Sequence, residues 1–274
     1  MKKNWQILTL WLFFEVIAVT LWLCLDNLFY LFNFSYIGTC LALGLFLYAK
    51  KGSFARNAVQ FAVGSYMLVY LGIICRENMQ IEGFWYYLFL GVFEAAVIHY
   101  AVAKLFGPVL FGRGWCGYAC WTAMVLDLLP YKTPELPRKM WGYWRYILFA
   151  GSLFFVSVLF LFHVEQLDRI LFYSFLIGNA LYYAAGILLA FVCRDNRAFC
   201  KYLCPITVFL KPASYFSVLR VKNDTDKCIS CGKCQRICPM NVQVADNSRS
   251  RKNGTECILC MQCIEACPVN SLHL

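Results

Sequence analysis

Six long apolar stretches constrain the fold of this chain more than any other feature. They run roughly Trp5–Leu25, Phe29–Tyr48, Ala58–Cys75, Phe84–Phe106, Tyr146–Val164 and Leu171–Val192. A helix needs about 20 apolar residues to cross a hydrocarbon core of ~30 Å, and each stretch is near that length. Helices of a soluble core are usually shorter and keep a polar face. Trp5, Trp85, Tyr86, Tyr87, Trp141, Trp144 and Tyr146 gather near the ends of the stretches, where amphipathic rings settle at a membrane surface. With 61% hydrophobic and only 15% charged residues, the chain is neither an ordinary soluble enzyme nor disordered.

The loops suggest an orientation. Lys2, Lys3, Lys50, Lys51, Arg56, Lys104, Arg113, Lys132, Arg138, Lys139, Arg145, Arg194, Arg197, Lys201 and Lys211 fall at one set of ends. The opposite loops hold Arg76 and Arg169 beside Asp26, Glu77, Glu82, Glu165 and Asp168. This bias predicts six crossings of a bacterial inner (plasma) membrane, with both termini cytoplasmic. It also accounts for the net charge of +10 without a nucleic-acid partner. No cleavable signal peptide is expected at the start of the chain.

Beyond Pro212 the apolar runs give way to cysteine spacing. Cys228-x2-Cys231-x2-Cys234-x3-Cys238-Pro239 recurs 29 residues later as Cys257-x2-Cys260-x2-Cys263-x3-Cys267-Pro268. This doubled run is the signature of bacterial two-cluster ferredoxins, in which the fourth cysteine of each motif reaches the other cluster. The spacing therefore predicts two [4Fe–4S] clusters. Cys228, Cys231, Cys234 and Cys267 would hold one, and Cys257, Cys260, Cys263 and Cys238 the other. A pair of zinc sites is the competing reading, but zinc modules usually pair C-x2-C units across a longer gap. The Ser248–Lys252 stretch between the motifs is locally basic, which suits lipid headgroups, solvent or an acidic redox carrier.

A second repeat lies at the membrane. Arg113-x-Trp115-Cys116-x-Tyr118-x-Cys120 and Arg197-x-Phe199-Cys200-x-Tyr202-x-Cys204-Pro205 share one pattern, 84 residues apart. Each continues into a short apolar segment expected to stop at a proline, Pro130 or Pro212. Cysteines at i and i+4 share a helical face, so two such pairs across a pseudo-symmetry axis supply four thiolates. Cys116, Cys120, Cys200 and Cys204 are thus candidates for a further iron–sulfur cluster or a metal ion, with Arg113 and Arg197 offsetting its charge. Buried thiols packing as small hydrophobes are the alternative. Core packing is the default for Cys24, Cys40 and Cys75, and Cys193 has no matched partner. Glu15, Glu94 and His99 are ionisable groups within apolar stretches, where such groups are costly. Glu94 and His99 are candidates for proton handling at a quinone, against the alternative of satisfied interhelical hydrogen bonds. His99, His163 and His273 are too few for a multi-haem protein.

From about Phe84 to Leu274, through Cys116/Cys120, Cys200/Cys204 and the eight ferredoxin cysteines, the chain resembles the NapH/NosR-type membrane-bound polyferredoxins. The resemblance implies a quinol-dehydrogenase-like 4Fe–4S protein of respiratory electron transfer. It departs from that pattern at Trp121, where the family usually has Pro, and no flavin-carrying domain is attached. The expected architecture is an all-α polytopic membrane bundle of about six transmembrane helices (1–212). A small α+β bacterial two-cluster ferredoxin domain (213–274) would follow. Its partners would be the lipid membrane, a quinone and a ferredoxin-like or reductase redox protein. A copper reductase or assembly factor of a respiratory complex, and a redox-sensing membrane regulator, are the rival readings of the same motifs.

Overall fold

The computed structural model describes residues 2–93, 95–246 and 254–274. Helices α1 (Lys2–Leu25) and α2 (Leu28–Lys51) form an antiparallel hairpin. Asn27 starts α2 by accepting the Phe29 N–H at 3.0 Å, as a capping asparagine does. Gly52, at φ +53°, turns the chain into α3 (Ser53–Ser65), which runs on as a π-helical segment, Tyr66–Ile74. Helices α9 (Trp144–Leu161) and α10 (Leu167–Cys193) complete the long elements. Among the described residues five helices are long and apolar enough to cross a membrane: Ile7–Leu25, Leu28–Tyr48, Phe54–Ile74, Trp141–Leu161 and Leu167–Cys193.

The fourth predicted stretch, Phe84–Phe106, is not one helix. Helix α4 (Ile81–Leu90) stops after 10 residues, about 15 Å of rise, or half a bilayer core. Gly91, at φ +70°, closes it. The Gly91 N–H bonds to Leu88 and the Val92 N–H to Tyr87, the two bonds of a Schellman cap. The chain then folds back through α5 (Ala95–Tyr100), a π segment (Ala101–Phe106) and α6 (Gly107–Phe111). Phe84 stacks on Tyr100 with ring centroids 4.8 Å apart, whereas 16 residues of unbroken helix would separate them by about 24 Å. The count of six equivalent crossings is therefore corrected to five long helices plus this broken element.

The membrane cysteine motifs form two short helical hairpins inserted among the long helices. In the first, α7 (Gly114–Tyr118) leads through Cys120 to α8 (Trp121–Leu126). Its tip lies deep: Trp121 Nε1 donates to Asn179 Oδ1 at 2.8 Å, near the middle of α10. In the second, α11 (Ala198–Tyr202) leads through Cys204-Pro205 to α12 (Thr207–Tyr215). Pro212, expected to end this segment, sits inside α12, which continues to Tyr215. The cluster-motif segment adds α13 (Lys233–Arg236), α14 (Gln262–Glu265) and one antiparallel pair, β1 (Lys222–Asn223) with β2 (Leu272–His273). One apolar core joins the two parts, running from Phe14 and Ile37 past Trp115 and Phe199 to Ile258, Leu259 and Leu272.

Candidate iron–sulfur sites

The two ferredoxin motifs share a duplicated backbone. Ser230 and Leu259, and Asn241 and Asn270, stand 29 positions apart and all have positive φ. Gly232 and Met261 match in the same way. Left-handed residues alternating with right-handed ones turn backbone N–H groups toward one point and make a concave nest for an anion. The Val242 N–H donates to Cys238 Sγ at 3.4 Å, and the Ser271 N–H to Cys267 Sγ at 3.3 Å. Tyr118 and Tyr48 hydroxyls donate to the carbonyls of Leu259 and Cys260, at 3.0 and 2.9 Å. These phenols pull the carbonyls of the Cys257 loop away from the nest.

The cysteines gather in the crossed sets. Cys238, Cys257, Cys260 and Cys263 line one cavity. Cys228, Cys231, Cys234 and Cys267 line another. The first lies against the membrane unit and the second faces outward, with Cys231 exposed. Burial pushes the Cys257 thiol up to about 12. At the outer site the Ser230 N–H holds Cys228 below its ordinary value, and the Ser271 hydroxyl does the same for Cys267. Iron binding must displace those protons, so loading at the inner site is linked to folding against the membrane unit.

The four membrane cysteines are brought together as well. Cys116 and Cys200 are buried, and each of Cys120, Cys200 and Cys204 lies within electrostatic reach of the others and of Cys116. The two repeats exchange arginines. Arg113 Nη2 donates to the Cys200 carbonyl at 3.3 Å, and Arg197 Nη1 donates to the Cys116 carbonyl at 3.0 Å. Lys104 sits 5.1 Å over the Trp115 ring and within electrostatic reach of Cys116, Cys120 and Cys204. Several buried polar atoms have no hydrogen-bond partner, among them Arg113 Nε, Trp115 Nε1, His99 Nε2 and the Tyr100 hydroxyl. Buried donors without a protein partner are rare, and a bound group is one way to satisfy them. Four thiols ringed by such donors and by cations fit an anionic cluster.

Among the described residues no three Cys, His, Asp or Glu side chains are grouped as around one ion. That holds for the membrane cysteines and for both ferredoxin sets alike.

His99 is buried against Trp115, with ring centroids 5.2 Å apart. Glu94, its predicted companion, lies outside the described residues. Glu15 accepts from the Ser35 hydroxyl at 2.7 Å and so makes a satisfied contact between α1 and α2. Cys24 and Cys75 are exposed, Cys40 half-buried and Cys193 buried, apart from both cavities. Sequence reasoning missed Glu82, Asp127 and Glu256. Glu82 was placed in a loop, yet its Oε2 is buried without a partner and within electrostatic reach of Tyr100 and Tyr182. Its signal was its place in the first turn of an apolar helix. Lys104, Arg113, Arg145, Arg197 and Lys201, counted among the positive ends of the apolar stretches, are buried.

Fold and sites together define a protein of membrane helices carrying ferredoxin-type iron–sulfur motifs. Comparison with known proteins agrees. Residues 220–268 match the 4Fe-4S dicluster domain, and residues 96–143 and 171–223 match a 4Fe-4S binding domain. The second match covers both membrane cysteine hairpins. An uncharacterized protein of Methanocaldococcus jannaschii is 25% identical over 186 residues, 64% of this chain and 70% of its own length. The methylamine utilization ferredoxin-type protein MauN of Methylorubrum extorquens is 30% identical over 154 residues, 52% of this chain and 53% of its own. YccM of Escherichia coli, named for electron transport, is 31% identical over 67 residues, 24% of this chain and 19% of its own. No solved structure matches. The chain is thus an iron–sulfur protein of electron-transfer type with apolar helices suited to a membrane.

Proposed function

We propose that the protein passes electrons across the face of a bacterial inner membrane, between a quinone pool or membrane partner and a redox protein of the cytoplasm. In this reading Cys228, Cys231, Cys234 and Cys267 hold an outer [4Fe–4S] cluster. Cys257, Cys260, Cys263 and Cys238 hold an inner one. Cys116, Cys120, Cys200 and Cys204 hold a third at the membrane. The clusters supply one-electron chemistry; the chain supplies nests of N–H groups, buried cations and a fixed spacing between sites. The outer site, with Cys231 exposed, faces the soluble partner. His99, packed on Trp115, and Glu82, within electrostatic reach of Tyr100 and Tyr182, are the groups positioned for proton handling beside a quinone. The reading draws its family-level form from the resemblance to NapH/NosR-type polyferredoxins.

The observation that carries it is the crossed pair Arg113–Cys200 and Arg197–Cys116, set in a ring of unpartnered donors and backed by the Cys257 loop. The test is iron and acid-labile sulfide per chain on anaerobically purified protein, with low-temperature EPR. Three cubanes give about twelve iron atoms and two give about eight, at four per cluster. We expect the higher value, falling by about four in Cys200→Ala. A value near eight that Cys200→Ala leaves unchanged overturns the membrane cluster. Copper bound at the four cysteines would support the metal-handling reading instead.

A further inference from the structure

The two membrane hairpins share a buried frame but differ in the counter-ion of their arginines. At 84 positions' separation, Cys116 and Cys200, Trp115 and Phe199, Tyr118 and Tyr202, and Leu126 and Leu210 are all buried. Arg197 is neutralised within the membrane unit, where Asp127 accepts its Nε at 2.7 Å and its Nη2 at 2.5 Å. The residue 84 positions after Asp127 is Lys211, a cation. The second hairpin therefore offers Arg113 no matching acid, although Arg113 is fully buried. Its partner comes from the cluster unit instead: Glu256 Oε2 accepts from Arg113 Nη1 at 2.8 Å. Arg138 and Arg145 reach the other oxygen at 2.9 and 3.2 Å, and Lys211 stands 3.7 Å from it.

One buried carboxylate thus faces four cations drawn from four places in the membrane unit. Burial opposes its ionisation, but Arg113, Arg138 and Arg145 outweigh that and hold the Glu256 carboxyl down at about 2. Removing a partner from such a cluster leaves buried charge uncompensated, which is strongly destabilising at that spot. Glu256 also immediately precedes Cys257, and Arg113 also holds the Cys200 carbonyl. A continuous run of hydrogen bonds therefore links the inner cluster motif to the membrane cysteines.

We infer that Glu256 is a positioning residue, a latch that seats the inner cluster motif on the membrane cysteine site and fixes the distance between them. Because position 211 is a cation, Arg113 is neutralised only when the cluster unit is docked. The consequence for electron-transfer rate rests on the proposed function; the docking itself does not.

The test uses the full chain in detergent, purified anaerobically, as wild type and as Glu256→Gln. Iron and sulfide are counted first. Hydrogen exchange is then followed over residues 255–261 and 216–221, together with EPR spin coupling and reoxidation of the reduced clusters by a water-soluble quinone. We expect the ferredoxin iron to remain, exchange in both segments to rise at least tenfold, spin coupling to weaken and reoxidation to slow at least tenfold. Exchange and coupling equal to wild type overturn the latch. So does iron loss in which the molecules still loaded keep wild-type coupling, because that outcome reveals a role in folding alone. If Glu256→Gln fails to accumulate, Arg138→Gln serves in its place, since its guanidinium is about one-third exposed. It should raise exchange in the same two segments by a smaller factor, and no rise overturns the latch. An iron count near eight with the exchange result intact would sink the membrane cluster while leaving the latch standing.

Discussion

At the scale of single residues, the membrane site is held by charge taken out of water. Asp127 receives Arg197 through both oxygens and Arg56 at 2.9 Å, and all three side chains are at most a tenth exposed. Asp127→Asn would leave two buried guanidinium groups facing a neutral amide. Breaking a buried pair from one side costs about 3–5 kcal/mol, so thermal unfolding in detergent should register a loss of that size. A surface pair such as Arg194–Glu135, roughly half exposed, should give less than about 1 kcal/mol when broken. Burial raises the Asp127 carboxyl, but Arg197 and Arg56 outweigh it and hold it below its ordinary range. A depressed folded value means that the stabilisation is complete above the unfolded carboxylate value and is lost as pH falls through the folded one. The difference between wild type and Asp127→Asn should therefore be equal at pH 7 and pH 5.5, and shrink only below about pH 4. Little of this was legible in the sequence. Arg113 and Arg197 were recognisable from their repeated place before a cysteine. Their acids were not, since Asp127 and Glu256 lie 70 and 143 residues away along the chain.

At the scale of elements, the long helices followed from apolar length alone, and the broken one did not. A hydropathy pattern registers Phe84–Phe106 as one run because the break at Gly91 removes no apolar residue. Two glycines here have opposite reasons for being glycine. At Gly91 a side chain would meet nothing within 4 Å, and only the left-handed backbone opposes it. Gly91→Ala should cost about 1 kcal/mol and leave the cluster sites untouched. At Gly117, between Cys116 and Tyr118, an added Cβ would stand 2.3 Å from the Ile258 carbonyl oxygen. That atom is backbone in the inner cluster loop and has no rotamer to escape into. Gly117→Ala should wedge α7 off this loop and break the Tyr118 contact with Leu259. The expected result is a normal membrane-inserted yield with hydrogen exchange at 257–261 raised at least tenfold. An unchanged exchange pattern would show that the hairpin and the cluster loop do not press on each other. The spacing of the cysteines foretold both hairpins as repeats, but not that they insert among the long helices, because depth is set by partners such as Asn179 rather than by local pattern.

At the scale of the whole molecule, contacts gather the end of α2, the starts of α3 and α9 and the end of α10 on one face. Tyr48 at the end of α2 bonds the Cys260 carbonyl, Arg56 near the start of α3 bonds Asp127, and Arg145 at the start of α9 bonds Glu256. The end of α10 leads into Asp195, which accepts from Lys201, and Lys201 in turn reaches Asn241 of the cluster unit. The turn at Asp26, the segment around Asn78 beside Leu171, and the loop between α9 and α10 lie on the other face. Buried arginines on the cluster face serve the site rather than the headgroups, so the positive bias of that face has two causes. It still predicts which compartment the face meets, because short loops rich in Lys and Arg are retained on the cytoplasmic side. A membrane-impermeant maleimide on intact cells should label Glu165→Cys, in the loop between α9 and α10, above the wild-type background. Arg220→Cys, beside β1, should be labelled only after the membrane is opened. The reverse pattern would place the clusters outside and remove the cytoplasmic redox partner from the proposed function. Labelling of both positions in intact cells would mean that the preparation is leaky, which a cytoplasmic marker protein in the same sample detects.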